Sequence, residues 1–189
     1  MMEDLLRKLR ADADRYKELG GWYVNLGFYM GATHRIGAWV RRSPHPVLTM
    51  PLRMQARLAN IVWRAVWGMN ISDGANIEPG LCLIHPRDVW IGPSNIGKNC
   101  LVFHDVTVGS NSNSCEFPSI GDNVDIYTGA KILGAIKIGD DAKVGANCVV
   151  TKNLEAGATV ITAPNRVIPP SLVTAFGPRH GEHGRLPKE

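Results

Sequence analysis

The stretch IGDNVDIYTGAKILGAIKIGDDAKVGANCV, residues 120–149, falls into five consecutive blocks of six. Each block opens on an apolar β-branched residue (Ile120, Ile126, Ile132, Ile138, Val144) and carries a small or apolar residue in fifth place (Val124, Ala130, Ile136, Ala142, Cys148). A period of six matches neither the 3.6 of a helix nor the simple alternation of a flat strand. It fits a β-solenoid, in which each block is one short strand plus a corner. Three blocks, about 18 residues, close one coil, and the apolar positions of successive coils stack into an interior ladder. Gly, Asn and Asp suit the corners, because they tolerate the left-handed backbone that tight turns require.

The same phase continues to Val150 and Thr162. Backwards it runs through VGSNSN (108), VFHDVT (102), IGKNCL (96), IGPSN (91), LIHPRD (83), IEPGLC (77) and ISDGAN (71). Residues 71–168 thus supply about five coils. The segment SNSNSCEFPS, 110–119, keeps the phase but loses the pattern, and is expected to leave the barrel as a loop shaping a site.

Upstream the texture is helical. Leu5, Leu6, Leu9, Ala13, Tyr16 and Leu19 recur at helical spacing over 3–19, and Gly20-Gly21 supplies a stop. Further helices are predicted over about 29–42 and 49–67. Trp63 and Trp67 lie four apart on the last of them, and are read as packing on the next domain or on a neighbouring subunit rather than on a membrane surface. The expected organisation is a helical region over 1–69, the solenoid over 70–168 and a tail over 169–189. The fold class is mainly β.

The 189 residues carry 21 Lys and Arg against 17 Asp and Glu, with 44% hydrophobic residues, an ordinary soluble composition. The cations are spread rather than clustered, apart from Arg41 and Arg42, so no nucleic-acid partner is implied. Cys82, Cys100, Cys115 and Cys148 show no CxxC and read as reduced thiols. The acidic start MMEDLLRKLR and the lack of any long apolar run lead us to expect a cytoplasmic protein without a membrane span.

Hexads of this form resemble the hexapeptide-repeat acyltransferases, and the serine acetyltransferase branch with its polysaccharide-modifying relatives in particular. The matching pieces are HRIGAWV (34–40), GLCLIHP (80–86), FHDVTVG (103–109), TGAKILGAIKIGDDAKVGANCVV (128–150) and APNRVI (163–168). The resemblance implies a left-handed parallel β-helix, acetyl-CoA as donor, a hydroxyl acceptor, and homotrimers with sites between neighbouring solenoids. A dimer of trimers through the N-terminal helices is a further possibility.

His85 and His104 each stand third in their hexads, 19 residues apart, or one coil plus one residue. Register and motif together favour a catalytic His85 over a structural one, while His104 stays open between oxyanion donor and structural residue. A hydroxyl needs a base to attack a thioester, and an imidazole titrating near ~6.5 suits that task. The resemblance puts an acidic partner of His85 at the position of Asn70. Asn cannot stabilise the imidazolium as a charge does, so the role could pass to Asp73 or Asp88.

Serine acetyltransferases also carry an acid before the catalytic His and an Arg-His pair that grips the amino acid. Those substrate positions here are Ile84, Glu116 and Phe117, which points to a sugar or other neutral hydroxyl rather than serine. For the donor, the resemblance places coenzyme A beside Thr128, Gly134, Lys143 and Ala146, with Arg166 near the nucleotide phosphate. Lys143 and Arg166 read equally well as solvated charges. No third His lies in residues 71–168, which argues against a zinc enzyme on the same solenoid, so no metal is expected. A non-catalytic scaffold is the alternative of another class.

Overall fold

A computed structural model describes residues 2–45, 47–111 and 115–163. Fourteen short strands wind into five coils. β1 (Asn70–Ile71), β4 (Trp90–Ile91), β7 (Thr107–Gly109), β10 (Lys131–Leu133) and β13 (Val149–Val150) form face A. β2 (Asn76–Ile77), β5 (Asn95–Ile96), β8 (Ser119–Ile120) and β11 (Lys137–Ile138) form face B, and a bridge from Ile138 to Leu154 carries it into the last coil. Face C consists of β3 (Cys82–Leu83), β6 (Leu101–Val102), β9 (Asp125–Ile126), β12 (Lys143–Val144) and β14 (Thr159–Val160). All pairs are parallel and in register, so that on face C Leu83, Val102, Ile126 and Val144 stack directly.

The hexad rule predicts the core. The opening residues Ile77, Leu83, Ile91, Ile96, Val102, Val108, Ile120, Ile126, Ile132, Ile138, Val144 and Val150 are all buried. A second buried column comes from the fifth places, Ala75, Leu81, Cys100, Val124, Ala130, Ile136, Ala142 and Cys148. Corners repeat as well. At the corner between faces B and C, Asn99, Asn123 and Asp141 take positive φ of 56–59°. Their side chains hydrogen-bond up the stack, Asn99 Nδ2 to Asn123 Oδ1 and Asn123 Nδ2 to Asp141 Oδ1, both at 3.1 Å. Each amide satisfies the next coil while tolerating the left-handed turn. All four cysteines are free, and burial pushes the Cys100 thiol up to about 11.

Three helices close the first coil: α1 (Met2–Arg15), α2 (Leu26–Arg41) and α3 (Met50–Trp67). α1 stops four residues short of the predicted end, and a single 3₁₀ turn, Lys17–Leu19, leads into Gly20 at φ 86°. The reason is Tyr16. Its side chain is buried against β3, where its hydroxyl accepts from the Leu83 N–H at 2.8 Å.

Asp12 and Arg35, 2% and 5% exposed, form a buried ion pair. Asp12 Oδ1 also accepts from the backbone N–H of Gly80 (2.8 Å) and Leu81 (3.0 Å), while Arg35 donates to the carbonyls of Ile77 and Glu78, both at 2.9 Å. Gly27 lets α2 approach β3, because a Cβ there would stand 2.1 Å from the Leu83 oxygen. Trp63 and Trp67, with rings 5.3 Å apart, pack on the solenoid core as the sequence suggests. No described helix is long and apolar enough to cross a membrane.

Candidate active site

His85 follows the rung Leu83 by two residues, and His104 follows Val102 by two. Leu83 pairs with Val102, and the Ile84 N–H donates to the Val102 carbonyl at 2.9 Å. The imidazoles therefore leave adjacent coils at one corner, about one strand spacing of 4.8 Å apart along the backbone. Thr128 and Ala146 stand two residues after Ile126 and Val144, continuing the same column upward. Register in the sequence put His85 and His104 on adjacent coils, and the resemblance put Thr128 and Ala146 in a later piece, beside the donor. The coil makes them one line.

His85 is exposed, with φ 48°. A left-handed backbone is uncommon outside glycine, and more so before a proline, which normally holds its predecessor extended. Such a conformation costs of order 1–3 kcal/mol and persists only where the surroundings fix it; the flanking Leu83 and Pro86 are both buried. His85 makes no side-chain hydrogen bond among the described residues. His104 is half-buried, and its Nδ1 is wholly enclosed without a partner among them.

The three candidate partners of His85 are engaged elsewhere. Asn70, on β1 beneath Trp90, accepts through Oδ1 from Arg64 Nη2 at 2.8 Å. Asp73 pairs with Arg41 at 2.7 Å. Asp88 gives its backbone N–H to the Trp67 carbonyl, and its carboxylate lies 3.6 Å from Arg87 Nε. Asn70 is thus held by Arg64 from the last turn of α3.

Glu116 and Phe117 belong to a different corner. Nine residues separate β7 from β8, against three between β4 and β5 or between β10 and β11, so this connection is six residues longer than its equivalents. Residues 112–114 lie outside the described residues. Glu116 is exposed, and the Phe117 ring lies on Gly92, whose added Cβ would stand 2.4 Å from it. Gly134, at φ 95°, faces Asn111 at the same corner. Lys143 sits on the outer side of β12, 3.9 Å from Asp125. Arg166 lies outside the described residues.

One feature of the site was not read from the sequence. Phe103 and Tyr127 stack with ring centroids 5.4 Å apart at 28°, each immediately before a member of the histidine column. With Ile84 below them they line the outer side of face C beside His85 and His104. The signal was present as the second place of three hexads, but only coil stacking makes those places neighbours. At the far side of the column, Lys131 Nζ donates to Asp105 Oδ1 at 2.7 Å and fixes the residue after His104. A separate cleft lies at the base, lined by Lys8, His34, Trp39, Arg42 and Ala75, and none of its walls comes from the His85 corner. Among the described residues no cluster of three or more His, Cys, Asp or Glu is arranged to hold a metal ion.

The family model for the bacterial transferase hexapeptide (six repeats) matches residues 117–152. The serine acetyltransferase of Helicobacter pylori is 37% identical over 116 residues, covering 60% of this chain and 68% of that protein. The chain belongs to the serine acetyltransferase branch of the hexapeptide-repeat family. Its coil is accordingly the left-handed parallel β-helix of that family. The Mycobacterium tuberculosis serine acetyltransferase is 36% identical over 143 residues, 74% of this chain. This family member spans 62% of the length of that relative and 57% of the Synechococcus elongatus one. Among solved structures, the soybean serine acetyltransferase apoenzyme superposes with a TM-score of 0.72 at 30% identity, covering 88% of this chain and 69% of its own. The Brucella abortus serine acetyltransferase in complex with coenzyme A gives 0.69 at 26% identity, over 88% of this chain and 67% of its own.

Proposed function

We propose that the protein is an O-acetyltransferase that moves the acetyl group of acetyl-CoA to a hydroxyl of a small neutral or sugar acceptor, with His85 as general base. The observation that carries this reading is the pairing of His85, held left-handed on an exposed corner, with His104 one coil above it. His85 takes the hydroxyl proton as the acceptor oxygen attacks the thioester carbonyl. The tetrahedral intermediate collapses by breaking the C–S bond, and the imidazolium returns the proton to the departing thiolate. The products are an acetate ester and free coenzyme A. His104, half-buried one coil above, is suited to donate to the oxyanion through its other ring nitrogen, since the enclosed Nδ1 lies out of a substrate's reach. Thr128 and Ala146, small and directly above, leave room for the donor's pantetheine arm against the backbone. Asn70 would act only by orienting the site, through Arg64 or after exchanging that partner for His85.

An open corner holds neither substrate alone. The facing wall would come from a second solenoid, bringing its 110–118 loop with Glu116 and Phe117 to this chain's His85, which is the reason to expect a homotrimer. A trimer mass in solution by light scattering checks this.

The acceptor is argued from the surface beside His85. Ile84, Phe103 and Tyr127 offer apolar and aromatic contact, which suits a sugar face better than the ammonium and carboxylate of an amino acid. A second reading, serine O-acetylation, is favoured by the names of the relatives and by the structure of a Neisseria gonorrhoeae serine acetyltransferase in complex with serine, 28% identical. Release of free coenzyme A with serine, homoserine, simple sugars and nucleotide sugars separates the two. A higher kcat/KM for serine than for every sugar sinks the sugar reading. His85→Ala should lower turnover by about 10²–10⁴-fold with the assembly unchanged. Near-full turnover in that variant would put the base elsewhere.

A further inference from the structure

We infer that the outward face of α3 docks on a lipid surface bearing anionic headgroups. α3 turns Trp63 and Trp67 toward the solenoid core and Ala56 toward Gly37 of α2. Its opposite side carries Met50, Met54, Leu58, Ile61, Val62 and Val66, each 41–63% exposed. Spacings of four, four and three from Met50 to Ile61 put them on one stripe of the helix. Val47 and Leu48, both 80% exposed, extend the apolar surface into the turn before the helix. A soluble monomer seldom leaves a contiguous apolar stripe of this kind uncovered.

The charge says what covers it. Residues 41–67 hold Arg41, Arg42, Arg53, Arg57 and Arg64 and no acid at all. That leaves 16 cations against 17 acids for the rest of the chain, so the whole positive excess of the protein lies in this segment. Around the helix, Arg53, Arg57 and Arg64 share one edge of the apolar stripe. Arg57 and Arg42 are exposed and make no ion pair among the described residues. An apolar face edged by arginines is the pattern of a helix lying in a membrane interface, its side chains in the acyl boundary and its guanidinium groups among phosphates. A second copy meeting this face with its own α3 would set arginines against arginines, with no acid on either helix to neutralise them. The helix lies on the surface rather than crossing it, since it is too polar overall to span.

The test is co-sedimentation of the full-length protein with vesicles of phosphatidylcholine alone and of phosphatidylcholine containing about one quarter phosphatidylglycerol. Binding to the anionic vesicles should exceed that to neutral ones by at least about tenfold, and should fall as salt screens the arginines. Leu58→Glu with Ile61→Glu, both on the exposed face, should abolish it while circular dichroism and solution mass stay unchanged. Arg57→Gln should weaken it about fivefold without touching the apolar stripe, which keeps the test decisive if the double variant misfolds. Equal binding to both vesicle types, no binding to either, or full binding by the folded double variant overturns the proposal. Loss of assembly mass in the double variant, with no vesicle binding by the parent protein, would give the face to a second copy instead.

Discussion

In the inner coils of the solenoid each buried rung has an equivalent one coil above and one below, whereas the helical base is fastened by contacts that occur once. Ile126 rests between Val102 and Val144, and each of these rests on another rung. Asp12, Arg35 and Tyr16 have no such equivalents. They join α1 and α2 to the first coil through one buried ion pair, two accepted backbone N–H groups and one phenol. Repetition divides the stabilisation among many similar terms, while the base concentrates it in a few.

Three measurements sharpen that contrast. The largest effect is expected at Asp12→Ala, which strands the Arg35 guanidinium and two backbone N–H groups in the interior. The cost should be about 3–5 kcal/mol, read by chemical denaturation. Hydrogen exchange should show α1 and α2 losing protection while coils three to five keep theirs. If both regions lose protection together, base and solenoid form one cooperative unit and the contrast fails.

Ile126→Ala removes one rung and should cost about 3 kcal/mol through lost burial and the cavity left behind. Its effect on exchange should spread to the coils on either side and not reach α1.

The smallest effect is a pH dependence at the base. His34, 6% exposed on α2, has its pKa lowered to about 4, first by burial and then by Arg35 and Arg41, against a weaker opposing pull from Asp73 and a hydrogen bond with the Ala75 backbone. Between pH 6.5 and about 4 the unfolded imidazole binds a proton that the folded one refuses, so stability falls as pH drops through that window. The loss should be about 2 kcal/mol between pH 7 and pH 5. His34→Asn should flatten that slope in thermal melts at the two pH values. An unchanged slope would assign the acid sensitivity to other groups.

The two regions also differed in how far they could be read beforehand. Rungs, fifth-place core residues and left-handed corners were legible because each hexad repeats one local solution, so position within the block fixes the environment. The helices were legible in kind but not in their ends, since Tyr16 leaves the helical pattern to reach β3, 67 residues away. The placement of His85 and His104 on adjacent coils was legible from register. The employment of Asn70 by Arg64 was not, because it depends on where the last turn of α3 meets β1. Phe103 and Tyr127 escaped notice because aromatic residues 24 apart become neighbours only once the coil length is known.

What the sequence by itself determined is the coil: a six-residue period dictates which side chains point inward whatever lies above or below. What only the tertiary structure decided is the company each outward residue keeps. It set the histidines in one column with Thr128 and Ala146, put Phe117 on another corner, buried Asp12 against Arg35, and left one side of α3 bare. The physical reason is that periodicity is a local property of the chain, while neighbours across a coil or between helix and barrel depend on how separated segments close on one another.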